Sequence, residues 1–173
     1  MRSTSMRSAL LILVTTTGLC LPGRAAADTA AVPESCRAAI EVRWPEWRLS
    51  PPPRDFAAYA RQQRVEPNVV LADFDGDDTR DAAVLLLTSA TRRAQRRLAI
   101  CVSRGGAAEL HVVRDPYCGD GITLVPKGTK AWDFERDVAV THQANGVRAV
   151  CFEKAGATYL LVNGRLVRVV DSD

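Results

Sequence analysis

The 173-residue sequence has few of the residues that build most active sites. It contains only two histidines, His111 and His142, and its aromatic content is 6%. No Gly-x-Ser-x-Gly motif marks a serine nucleophile, and no Cys-x-x-Cys pair offers a zinc or redox site. These absences argue against serine-hydrolase, zinc-dependent and thioredoxin-like chemistry.

The sequence also lacks an apolar run as long as the ~20 residues that span a bilayer. Its longest amino-terminal apolar stretch, residues 9–14, follows a leader with Arg2 and Arg7 and no acidic residue. Three small residues, 25–27, then precede Asp28. This order is typical of a secretory signal peptide cleaved near Ala27/Asp28. The sequence therefore predicts a periplasmic or secreted protein without a stable membrane span.

The net charge changes when this leader is left out. Removal of residues 1–27 takes away three arginines and no acid, which reduces the 23 basic residues to 20 and matches the 20 acidic ones. A neutral chain gives no reason to expect a nucleic acid as partner. Cys20 raises the alternative of a lipoprotein, but Leu19 stands before it where a small residue is expected.

The four remaining cysteines are even in number, as in many exported proteins with two disulfides. Three connectivities are open, and the sequence does not choose among them. Free buried thiols are the alternative. The four cysteines are Cys36, Cys101, Cys118 and Cys151.

Two regions are predicted after the leader. Residues 28–53, which contain several prolines and two tryptophans, read as a loosely organised amino-terminal segment. Residues 54–173 read as one α+β domain. It begins with a helix over residues 54–64, where Phe56, Tyr59 and Ala60 share one face.

Alternating or continuous apolar runs after Pro67 predict strands, and Asn-Gly pairs at 145–146 and 163–164 predict two tight hairpins. The run 82–88 has no polar alternation, so we expect both its faces to be covered. The predicted fold is mainly an antiparallel β-meander with one N-terminal helix packed on the sheet. The predicted strands are 68–73, 82–88, 98–103, 109–114, 122–125, 138–143, 147–153, 158–162 and 165–170.

Five carboxylates fall within the nine residues 73–81, directly before the buried strand. Alternate side chains can converge where the chain turns, and a main-chain carbonyl can complete the arc. Such an all-oxygen set suits a hard cation, and Ca²⁺ accepts six to eight oxygens in flexible geometry. The predicted calcium ligands are Asp73, Asp75, Asp77, the carbonyl of Thr79, and Asp81.

This loop is not an EF-hand, because Val84 stands where the bidentate glutamate would be. It resembles instead the Asp-x-Asp-x-Asp-Gly-x-x-Asp calcium loop of FG-GAP/VCBS-type repeats, and the chain is similar to small exported bacterial proteins with one such loop. The resemblance implies calcium binding by the five residues named above and implies no activity. The usual glycine at the sixth position is Asp78 here, at a place expected to need a left-handed backbone.

Three functional classes remain open at this level. The first is a non-enzymatic binding or structural module with one calcium ion. The second is a partner or inhibitor of an exported enzyme, acting through the arginine-rich tract 91–97 or the tryptophan segment at Trp44 and Trp47. The third is a metal-dependent hydrolase. No catalytic residue is assigned, and the tract 91–97 has no interleaved aromatic residue that would indicate nucleic-acid binding.

Overall fold

A computed structural model describes residues 31–152 and 155–172 of the chain. The predicted signal peptide, residues 1–27, lies outside the described residues. No helix in the described ranges is long and apolar enough to cross a membrane.

Two helices and eleven strands occur in the described ranges. The helices are α1 (Glu34–Arg43) and α2 (Arg54–Gln63). The strands are β1 (Arg48–Leu49), β2 (Val69–Ala72), β3 (Asp81–Leu87), β4 (Arg96–Arg104), β5 (Ala107–Val113), β6 (Gly121–Val125), β7 (Lys130–Asp133), β8 (Val138–Thr141), β9 (Gly146–Cys151), β10 (Ala155–Val162) and β11 (Arg165–Ser172).

The strands form three antiparallel groups. In the five-stranded sheet, β3 pairs on one side with β1 and β2, and on the other with β4, which pairs with β5. The four-stranded sheet has the order β11-β10-β9-β6, and β7 and β8 form a separate two-stranded ribbon. The predicted α+β class with mainly antiparallel strands is confirmed, although the strands divide into three groups instead of one meander.

Strand β3 is buried on both faces, as its unbroken apolar sequence predicted. Ala83 and Leu85 face a core shared by the two larger sheets. Ala82, Val84 and Leu86 face a second core that also contains residues of α1. This strand therefore supports an apolar layer on each side, and its position is strongly constrained.

The prediction of a single helix was wrong, because α1 lies in the segment expected to be loosely organised. Pro33 directly precedes α1, with φ −53°, and Pro45 follows its end. Proline suits the start of a helix, where its missing N–H leaves no bond unmade, and blocks continuation beyond the end. These prolines delimit a helix, and α1 covers the outer face of β4 and β5.

Helix α2 forms where the sequence predicted it, and it packs against Phe152 and the start of β6. Phe56 and Ala60 are buried, whereas Tyr59 on the same face is 42% exposed. The Phe56 ring meets Phe152 edge-on, with ring centroids 5.6 Å apart. A Cβ added at Gly121 would lie 1.8 Å from the Phe56 ring, so α2 approaches the first residue of β6 closely.

Two disulfides settle the connectivity that the sequence left open. Cys36 of α1 is bonded to Cys101 of β4, with a Cα–Cα distance of 5.5 Å. Cys118 is bonded to Cys151 at the end of β9, with a Cα–Cα distance of 5.1 Å. Paired cysteines are typical of proteins that fold in an oxidising compartment outside the cytoplasm.

The two Asn-Gly pairs have different roles. Asn163-Gly164 forms the predicted hairpin turn between β10 and β11, with φ values of 50° and 73°. The hairpin predicted at Asn145-Gly146 is wrong, because β8 pairs with β7 and β9 pairs with β6 and β10. Gly146 lies inside β9, where a Cβ would come 2.7 Å from Cγ2 of Thr158. This glycine provides room for a neighbouring side chain.

The ribbon is joined to the four-stranded sheet at one end and extends to a buried histidine at the other. Phe134 N donates to the carbonyl of Val170, 2.9 Å away. His142 N donates to the carbonyl of Thr129 and is 3% exposed. Neither ring nitrogen of His142 has a hydrogen-bond partner among the described residues. Burial lowers the pKa of His142 below its ordinary value, and the nearby charge of Asp171 opposes this effect.

This histidine makes stability depend on pH. Because the folded protein binds the proton less readily than the unfolded chain, stability contributed by neutral His142 is present above pH ~6.5 and decreases as the pH falls below it. We expect His142→Leu to reduce the loss of stability between pH 7.5 and pH 5, as measured by urea midpoints. His111→Gln, which removes the only other histidine, is the control and should retain that loss. An equal pH dependence in all three proteins would contradict this role.

Candidate metal centre

The acidic loop is closed at its base by a strand pair. Ala72, the last residue of β2, pairs with Asp81, the first residue of β3. Within the loop, Phe74 is 1% exposed and belongs to the core between the two larger sheets. The loop is therefore fixed at both ends and at one internal side chain.

Three carboxylates converge in this loop. Asp73, Asp75 and Asp81 each offer one oxygen, and these oxygens lie within 4.8 Å of one another. Asp73 and Asp75 are half-buried, and Asp81 is fully buried. Such a group of oxygens is suited to a hard divalent cation.

Asp81 is the buried member and has two main-chain donors. Its Oδ2 accepts from Phe74 N and its Oδ1 from Ser103 N, both at 2.8 Å. Burial raises the pKa of Asp81 above its ordinary value of 3.8. The two hydrogen bonds oppose that rise, and the negative charges of Asp75 and Asp77 add to it. A cation at the site would act in the opposite direction to these charges.

The other aspartates shape the loop through main-chain hydrogen bonds. Asp73 accepts from Gly76 N at 2.7 Å and from Asp78 N at 3.1 Å. Asp75 accepts from Asp77 N at 3.3 Å. The loop thus curls around its own carboxylates, because Asp side chains readily bond to nearby main-chain N–H groups.

Asp77 lies outside the converging group, and its Oδ1 accepts from Thr79 N at 2.7 Å. The roles of Asp77 and of the Thr79 carbonyl as ligands remain predictions. The expected left-handed backbone at Asp78 is confirmed, with φ 62°, and the side chain of Asp78 is exposed. Gly76 also has positive φ, at 85°.

Besides Ser103, Asn145 and Arg104 contact the loop from outside it, and the sequence analysis missed these residues. Asn145 Nδ2 donates to the carbonyl of Asp73 at 2.7 Å, and its Oδ1 accepts from Lys127 N at 3.0 Å. Arg104 Nη2 lies 3.5 Å from Oδ2 of Asp75. The pairing of β3 with β4 brings Arg104 next to the loop, whereas no sequence signal connects Asn145 with a residue 72 positions earlier.

The other candidate residues lie in varied surroundings. Trp44 and Trp47 pack against the core beneath α1, whereas Trp132 on the ribbon is 45% exposed. Arg92 and Arg93 are exposed in the connection between β3 and β4. Only the residues of the acidic loop form a converging group that could bind a metal within the described part of the chain.

Comparison of the chain with protein-family models, curated proteins and solved structures finds no match.

The Asn145 contact predicts a stability effect far from the loop in sequence. Asn145→Ala removes a part-buried and an exposed hydrogen bond to the main chain, so we expect the free energy of unfolding to decrease by about 1 kcal/mol. Urea denaturation measures this change. Gln143→Ala, which removes an exposed amide nearby, is the matched control and should have little effect. Equal effects of the two substitutions would contradict a specific role for Asn145.

The backbone at Asp78 predicts the effects of two substitutions. Asp78→Val places a β-branched residue at positive φ, and we expect it to destabilise the protein by about 1–2 kcal/mol. Asp78→Gly removes the strain of positive φ at this position, so it should not destabilise the protein. Thermal melting of both variants in a chelator separates the backbone effect from any effect on metal binding. A stable Val variant would contradict the conformational assignment.

Proposed function

We propose that this protein is an exported, non-enzymatic binding or structural module that carries one structural calcium ion in the loop 73–81. The observation that supports it best is the convergence of Asp73, Asp75 and Asp81, with Asp81 wholly buried. The resemblance of the loop to FG-GAP/VCBS-type calcium loops agrees with this proposal, as does the predicted amino-terminal signal peptide.

Repulsion among the carboxylates of the loop favours the binding of a cation. Two carboxylates ~5 Å apart repel by about 0.8 kcal/mol in bulk water, and by more where the effective dielectric constant is lower. Burial raises the pKa of Asp81, and the negative charges of Asp75 and Asp77 add to that rise. A divalent cation reverses the sign of these interactions. Calcium fits better than zinc because the donors are oxygens and no histidine or cysteine lies in the loop.

Calcium binding would stabilise the start of β3. Asp81 is the first residue of this strand, and its carboxylate also binds Ser103 N at the end of β4. An ion held by Asp73, Asp75 and Asp81 would fix the point at which β3 begins, and with it the register of the five-stranded sheet. At ten times Kd, an ion adds about 1.4 kcal/mol to the free energy of unfolding.

Calcium should therefore raise the melting temperature. We expect calcium at tenfold Kd to raise Tm by about 3–6 °C relative to EDTA. Asp75→Asn should abolish most of this shift. Asp115→Asn, which alters an aspartate whose side chain is 93% exposed, is the matched control and should retain it. An equal Tm in EDTA and in millimolar calcium would exclude the calcium proposal.

A further inference from the structure

Strand β5 is an outer strand of the five-stranded sheet and pairs only with β4 within the described ranges. The outer strands of the four-stranded sheet each form a main-chain hydrogen bond with another segment. Ile122 N of β6 donates to the carbonyl of Pro67, and the carbonyl of Val170 of β11 accepts from Phe134 N. In the same part of the chain, no main-chain hydrogen bond joins β5 to a segment other than β4.

The features that usually prevent edge strands from pairing with another chain are bulges, prolines and lysines. Strand β5 contains no proline and no lysine, and its register with β4 is regular over all seven residues. Its free side is therefore suited to the addition of a further strand.

The hairpin turn determines which main-chain groups of β5 point away from β4. Gly105-Gly106 is a two-residue turn with φ values of 56° and 87°, and such a turn makes the flanking pair, Arg104 and Ala107, hydrogen-bonded. Bonded and non-bonded pairs alternate along antiparallel strands. Ser103 N agrees with this pattern, because it donates to Asp81 on the β3 side. The residues of β5 whose N–H and C=O groups point outward are Ala108, Leu110 and Val112.

The side chains of β5 differ between its two faces. Leu110 packs against the apolar layer beneath α1. Glu109 and His111 lie on the opposite face, with side chains 50% and 15% exposed, and Oε1 of Glu109 is 3.2 Å from Nε2 of His111. An acid and an imidazole therefore stand on either side of Leu110, and this pattern is complementary to itself when the strand is reversed.

Two copies of β5 can pair antiparallel about a two-fold axis, and the side chains distinguish the possible registers. An axis through Glu109 places two carboxylates directly opposite each other, which is unfavourable. An axis through His111 places two imidazoles opposite each other and leaves Glu109 facing Val113. An axis through Leu110 places Glu109 of each copy opposite His111 of the other. This last register also pairs every outward-facing residue, so about six main-chain hydrogen bonds form.

We infer that β5 is a homodimer interface, in which two copies of this chain pair antiparallel through their β5 edges with Leu110 on the two-fold axis. The contact is isologous, since the same surface is used by both copies, and it closes after two. Glu109 and His111 supply the cross-strand pairs that fix the register. The pairing requires no metal ion, so its test is separate from that of the proposed function.

Sedimentation velocity of the purified protein in EDTA tests this inference, at concentrations on the order of 0.01–1 mM, where a small interface is populated. We expect a concentration-dependent equilibrium between monomer and dimer. Ala108→Pro should abolish the dimer over this range. It removes an outward N–H, and an edge strand tolerates proline on its free side. Ala139→Pro, at an exposed residue of β8, is the matched control and should leave the equilibrium unchanged.

An exchange of the two polar residues tests the register. His111→Glu places a second carboxylate opposite Glu109 at two points of the dimer, so it should raise the dimer dissociation constant about tenfold or more. Addition of Glu109→His to this variant restores both acid–imidazole pairs in reversed order. The double variant should return to within about threefold of the unaltered protein. General destabilisation would instead make the double variant weaker than the single one.

Thermal melting in EDTA shows whether each variant is folded. A monomer at every concentration would overturn the inference, and so would a dimer that Ala108→Pro leaves unchanged. A dimer that the double exchange fails to restore would overturn the Leu110-centred register. Loss of the dimer in Ala108→Pro, together with weakening by His111→Glu and recovery in the double variant, supports the interface whether or not the protein binds calcium.

Discussion

Asp81 places a carboxylate out of contact with water at the start of the most buried strand. Burial of such a group is costly unless hydrogen bonds or a counter-charge compensate it. Phe74 N and Ser103 N supply two hydrogen bonds, and these connect the acidic loop, β3 and the end of β4. The shape of the loop and the arrangement of the strand ends beside it therefore depend on how this one charge is satisfied.

The remainder of the fold surrounds the same strand. Apolar side chains on the two faces of β3 belong to separate cores, one shared with the four-stranded sheet and one beneath α1. The Cys36–Cys101 disulfide joins α1 to β4, next to β3. Asn145 then connects the loop to the chain that leads into β9. The acidic loop thus contacts both the five-stranded sheet and the chain that leads into the four-stranded sheet.

Sequence patterns correctly predicted the elements that depend only on residues close together in the chain. The unbroken apolar run of β3, the face of α2 and the Asn163-Gly164 turn were all predicted correctly, because each follows from residues close in sequence. The same local reasoning failed at Asn145-Gly146, where Gly146 is required by contact with Thr158 of β10. Helix α1 was missed because prolines at its two ends were interpreted as signs of irregular structure.

By itself, the sequence determined the position of the acidic loop, the carboxylates available there and the apolar strand that follows. Alternation brings Asp73 and Asp75 to one side of the loop, whereas the pairing of Ala72 with Asp81 brings in the third carboxylate. The tertiary structure alone decided which carboxylate is buried, which cysteines are paired, and that Asn145 and Arg104 contact the loop. These features arise from pairing between distant strands, whose register is set by the packing of both sheets and is not encoded in any single segment.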